Sequence, residues 1–217
     1  MKKEKNYYHN IVMILAVVTV VASFVIANYL VEFGNFLACA HVIIYPMSYF
    51  LITLYSDRYG EDKGIYLIFY SIIALILTSL LFTSATLVVD SSKEVWFQVD
   101  FKVLFSFILA FLAGQYVNLK IYHSMPGKKN FVFLISTVIA ITIDSILFTI
   151  LGFFDNLEFE ELFKLVTGEY IISVISIIFY TVGFTYLTRP VEDKVNNEEK
   201  PKKIRKTRKT KEKVTTN

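Results

Sequence analysis

Cysteine is nearly absent. The single one, Cys39, lies inside an apolar run of this 217-residue chain, which excludes an intramolecular disulfide framework and a multi-cysteine metal knuckle. On its own it reads as a small buried side chain. The phosphate-loop pattern G-x-x-x-x-G-K-[ST] is missing, so nucleotide hydrolysis by that route is not expected of this chain. H-E-x-x-H does not occur either. The three histidines, His9, His41 and His123, fall in separate segments, two of them at the edges of apolar runs, and no histidine metal centre is expected. Above all, charge is scarce within the apolar runs and gathered between them, which argues against amphipathic helices of a soluble domain.

What fills the chain is apolar and aromatic: 55% of residues are hydrophobic, with 20 Phe and 14 Tyr, and mean hydropathy is +0.53, too high for a soluble domain of this length. A span needs about 20 residues to cross ~30 Å of hydrocarbon. Six runs qualify, at 10–31, 36–55, 64–89, 103–122, 131–154 and 169–188. The expected fold is therefore an all-α integral membrane protein, a bundle of six transmembrane helices with both termini cytoplasmic. The orientation rests on Lys2, Lys3, Lys5, Arg58, Lys63, Lys120, Lys128, Lys129 and the C-terminal tail on one side, against Lys93, Lys102 and Lys164 on the other. Residues 1–9 form a cytoplasmic N-terminal segment, 10–190 the six-span domain and 191–217 a tail. No cleavable signal peptide is expected, because the first apolar run is itself span-length. The tail carries ten Lys/Arg in 27 residues, with too little apolar content to fold. It reads as a disordered basic segment that touches anionic lipid rather than nucleic acid.

Polar residues inside the spans are few: Asn28, Thr53, Gln115, Asn118, Ser136, Thr137 and Asp144. Asp144 stands out, since a carboxylate in mid-span costs a few kcal/mol even on lenient scales and marks a site facing a protein interior or watery cavity. Gln115 and Asn118 are one turn apart on one helix face, and Thr137 and Asp144 are two turns apart on another. Two helices thus present donors and acceptors to one cavity. Ser136 and Thr137 also suit back-bonding to their own helix, and Gln115 and Asn118 suit interhelical bonding. Ser173, Ser176, Tyr180 and Gly183 make a packing stripe. In the second span Pro46 breaks the helical ladder, which fits either a kink or a substrate site.

ANYLV at 27–31, YPMSYFLITLYSDRYG at 45–60, FLAGQYVNLKIY at 111–122 and ISTVIAITIDSILF at 135–148 resemble, in order and spacing, the vitamin uptake transporter or queuosine precursor transporter family, over residues 25–190. The resemblance implies a six-span importer of 7-cyano-7-deazaguanine or a related 7-deazapurine, salvaged for the queuosine modification of tRNA. It implies a substrate site formed by Asp144, Gln115, Asn118, Asn28, Thr137 and Ser136, with Tyr45, Tyr49 and Phe148 stacking on the ligand. Asp144 would accept from the guanine-like edge and an amide would donate to its carbonyl. Departures from the family pattern are Ile52-Thr53-Leu54 for Thr-Asp-Leu, Asn118 for a common aspartate, Ile141 for an amide, and no lysine near Ile171 or Ile172. No cofactor is expected. Enzymatic activity is not expected either, because one aspartate without a second carboxylate, a Ser/Lys pair or a metal cluster lacks a catalytic partner. Energising subunits or a homo-oligomer would be the partners. The alternatives are a solute-binding subunit for another heterocycle or vitamin, and a membrane scaffold acting through its basic tail.

Overall fold

Charges and helix breakers divide the apolar runs in space as they do in sequence. The computed structural model describes residues 2–27, 29–34, 36–88 and 99–214. It contains α1 (Lys2–Ile26), a hairpin of β1 (Leu30–Phe33) and β2 (Phe36–Cys39), a 3-10 turn (Ala40–Ile43), α2 (Pro46–Tyr59), α3 (Glu61–Val88), α4 (Phe101–Ser124), α5 (Lys129–Phe153) and α6 (Phe159–Val214). Five helices are long and apolar enough to cross a membrane: Tyr8–Ile26, Glu61–Ala85, Phe101–Ser124, Lys129–Phe153 and Phe159–Thr188.

The expected second span, residues 36–55, is not one helix. Its first part is strand and 3-10 turn, and only α2 follows, whose 14 residues reach about 21 Å at 1.5 Å per residue, short of the hydrocarbon core. Pro46 is not a kink inside a helix but the first residue of α2, where its fixed φ suits the helix and its missing N–H costs nothing. Upstream, the strands pair antiparallel from Leu30↔Cys39 to Phe33↔Phe36, and Gly34, at φ 63°, follows β1 in the conformation a tight hairpin requires. That hairpin is a small addition to an otherwise helical architecture.

Short as it is, α2 is the buried centre of the bundle. Pro46 and every residue from Ser48 to Ser56 are buried, and α2 packs on α1, α3, α4 and α6. Gly60, at φ 96°, stops it. Asp100 caps α4 by accepting from the backbone N–H groups of Lys102 and Val103 at 2.8 and 3.3 Å.

Two polar layers bracket the apolar middle. At one end Arg58 lies 4.1 Å from the Tyr8 ring centre and donates to the Leu187 carbonyl at 3.1 Å. Asp57 accepts from Tyr122 at 2.8 Å and pairs with Lys129 at 2.7 Å, while Lys120 pairs with Glu61 at 2.6 Å. These contacts bring the start of α1, the end of α2, the start of α3, the end of α4, the start of α5 and residue 187 of α6 to one level. At the other end Lys102 pairs with Asp155 at 2.7 Å, joining the start of α4 to the end of α5.

The sixth span begins at Phe159 rather than 169, because Leu162 and Leu165 are buried and extend the helix through the acidic stretch. Its helical backbone is continuous from Phe159 to Val214. The Lys, Arg and Glu of that stretch are good helix formers.

Candidate functional site

Four elements converge beneath the hairpin. The 3-10 turn supplies His41, the start of α2 supplies Tyr45, Ser48 and Tyr49, α4 supplies Phe107, Phe111 and Gln115, and α5 supplies Asp144 and Phe148. All are buried. The Tyr45 hydroxyl donates to Asp144 Oδ1 at 2.8 Å, across 99 residues of sequence. The Tyr49 hydroxyl lies beside that of Tyr45 but makes no aligned hydrogen bond. Gly114 makes room for this group: a Cβ there would collide with the Tyr49 hydroxyl and lie 3.0 Å from Asp144 Cβ and 3.3 Å from the Ala140 carbonyl.

Gln115, next on α4, donates through Nε2 to Ser48 Oγ at 3.2 Å. Its Oε1 is buried without a partner. Aromatic rings pack around these groups: His41 stands 4.9 Å from Phe148 and 5.3 Å from Tyr45, and Phe107 stands 5.4 Å from Tyr45 and 6.0 Å from Phe148, all edge to face. These groups set aromatic rings beside a carboxylate, a phenol and an amide oxygen without a partner, a donor and acceptor set that suits a flat, polar-edged molecule.

The structure divides the residues expected from sequence. Asp144, Tyr45, Tyr49 and Gln115 come together. Asn118 and Thr137 form a second group one step along the bundle: Asn118 Nδ2 donates to Thr53 Oγ1 at 2.7 Å, and Thr137 Oγ1 donates to Asn118 Oδ1 at 3.3 Å. Each member has a partner, so this trio ties α2, α4 and α5 together. Thr53 and Asn118, the two places where the resemblance would put acids, bond to each other. Ser136 donates to the Phe133 carbonyl of its own helix at 3.1 Å, spending its hydroxyl locally. Asn28 lies outside the described residues.

Three further polar groups, of which the sequence analysis named Cys39 and His41 but not Glu169, lie beside this site. Glu169 of α6 is 2% exposed, accepts from Thr149 at 3.4 Å, lies beside Cys39, and keeps Oε1 without a partner. Cys39 and His41 flank Ala40, and His41 Nδ1 is likewise buried and unpartnered. The signal for Glu169 was present: Leu162, Leu165 and Glu169 recur at helical spacing on one face, so the acid belongs to the buried stripe once the helix starts early enough. Ile171 is 37% exposed, so the lysine missing near it leaves no gap in the core, and Glu169 is the charge α6 brings inward.

A family model described as "Putative vitamin uptake transporter" matches residues 39–188. The chain belongs to this family. It is a multi-pass integral membrane protein of a small-molecule uptake family, and the match spans all four converging elements. No curated protein and no solved structure matches the chain. A separate groove of about 500 Å³ on the outside of α1 and α3, lined by Met13, Ile14, Val17, Val18 and Tyr70, lacks the polar groups that would orient such a solute.

Proposed function

We propose that this vitamin uptake transporter family member imports a 7-deazapurine of the queuosine pathway, 7-cyano-7-deazaguanine or a close relative. The observation that carries the reading is the pairing of Asp144 with Tyr45 beside two unsatisfied groups, Tyr49 Oη and Gln115 Oε1. A guanine-like edge offers adjacent ring and exocyclic N–H donors. Asp144 accepts from them, Gln115 Oε1 accepts a further amine hydrogen, and the Tyr49 hydroxyl donates to the ring carbonyl. Phe107, Phe148 and Tyr45 cover the base. Such a site rejects an adenine-like edge, whose donors and acceptors are reversed and would leave the buried groups unpaired. In the membrane the end bearing Arg58, Lys120 and Lys129 faces the cytoplasm, following the excess of cations there.

Uptake tests this directly. In cells unable to synthesise queuosine, low external 7-cyano-7-deazaguanine restores modified tRNA only when the protein is expressed. Absence of rescue despite membrane expression overturns the substrate.

A further inference from the structure

Beside the proposed base site, Cys39, His41 and Glu169 place a thiol sulfur, an imidazole nitrogen and a carboxylate oxygen within 4.8 Å of one another, all buried. They come from β2, the 3-10 turn and α6, so the fold rather than a local motif assembles them. Gly168 permits the assembly. A Cβ there would collide with the Leu37 carbonyl and lie 3.2 Å from Phe36 Cβ, so only glycine lets the hairpin press against α6 and seat Cys39 beside Glu169.

We propose that Cys39, His41 and Glu169 bind a borderline-soft divalent metal ion, with Zn²⁺ the best fit. Thiolate, imidazole and carboxylate are the three zinc ligand types, whereas Mg²⁺ and Ca²⁺ require oxygen shells. Zinc at about 2.0–2.3 Å from each donor would hold them roughly 3.3–3.8 Å apart, so the trio closes by about an ångström on binding. A water or a solute atom completes the tetrahedron.

Two observations besides the cluster point to a cation. His41 Nδ1 and Glu169 Oε1 are both buried without hydrogen-bond partners, which is costly unless something meets them. Asp144 and Glu169 are both buried acids, and among the described residues neither pairs with a lysine or arginine. A divalent ion supplies the missing positive charge. On binding, the Cys39 S–H bond gives up its proton to solvent as the S–metal bond forms. Thr149, bonded to Glu169 Oε2 at 3.4 Å, holds the carboxylate from behind.

The probe is Co²⁺, titrated into the full-length protein purified in detergent through a histidine-free tag. Because Cys39 is the single cysteine, a thiolate-to-cobalt charge-transfer band can arise only there. The expected result is one equivalent of Co²⁺ bound with that band and with intense tetrahedral visible absorption, both displaced by Zn²⁺. Cys39→Ser abolishes the band, and Glu169→Gln and Gly168→Ala weaken Co²⁺ binding about tenfold or more, the scale at which supporting groups act on metal affinity. A wild-type titration without the band, or tight Co²⁺ binding that survives Cys39→Ser, overturns the proposal. Neither readout depends on which solute is transported.

Discussion

Asp144 and Gly114 do opposite work on facing helices: one places a carboxylate in the core and the other removes the side chain that would crowd it. A charge-assisted hydrogen bond contributes about 1.5–3 kcal/mol. Losing the carboxylate's contacts to a bound base therefore lowers uptake by roughly tenfold to a hundredfold. Asp144→Asn, which keeps shape and the Tyr45 contact, is expected to show that loss in initial uptake rate at wild-type membrane abundance. Gly114→Ala acts through packing instead. Its added methyl meets Tyr49 and Asp144, and overpacking of this kind costs about 1–3 kcal/mol, seen as a lower Tm in detergent together with reduced uptake. The importance of Asp144 was legible from its setting alone, an acid in an apolar run. Tyr45 as its partner was not, because 99 residues separate them.

Among elements, α2 carries the most meaning for its length. Its apolar residues do not form one stripe, and burial on all sides follows. The Thr53–Asn118–Thr137 trio fastens this central helix to α4 and α5. Interhelical hydrogen bonds of this kind average about 0.6 kcal/mol and reach about 1.7, so Asn118→Ala, which breaks two of them, costs roughly 1–2 kcal/mol. The expected outcome is a lowered Tm with an unchanged KM for uptake. A raised KM at unchanged Tm would return Asn118 to the substrate site. At the charged end Asp57 accepts from Tyr122 and pairs with Lys129 while its side chain is only 7% exposed. Truncating it removes a buried charged acceptor from Lys129 and Tyr122, and Asp57→Ala is expected to destabilise by about 1–3 kcal/mol in the same melting assay.

At the scale of the molecule, helix ends alternate between two polar layers, and the cations are unequally shared between them. With the Arg58–Lys120–Lys129 layer cytoplasmic, a cysteine introduced as Asp155→Cys reacts with a membrane-impermeant maleimide on intact cells. One introduced as Lys63→Cys reacts only after permeabilisation. The native Cys39 is fully buried and gives no background. Labelling with the reverse pattern would invert the topology and put the hairpin on the cytoplasmic side.

Composition and the spacing of charges determined by themselves that the chain enters a membrane, where most spans begin and end, and that Asp144 stands apart, because each follows from the cost of burying charge in hydrocarbon. Family membership was legible too, in four segments whose order and spacing survive in one dimension. The tertiary structure alone decided that residues 36–45 form a strand and turn rather than helix, that α2 has 14 residues, and that Asn118 bonds to Thr53 and Thr137. It also gave the core its second acid, Glu169. Those outcomes depend on which surfaces meet. Gly168 admits the hairpin only because α6 lies against it, and Tyr49 and Asp144 fit against α4 only because Gly114 has no side chain there.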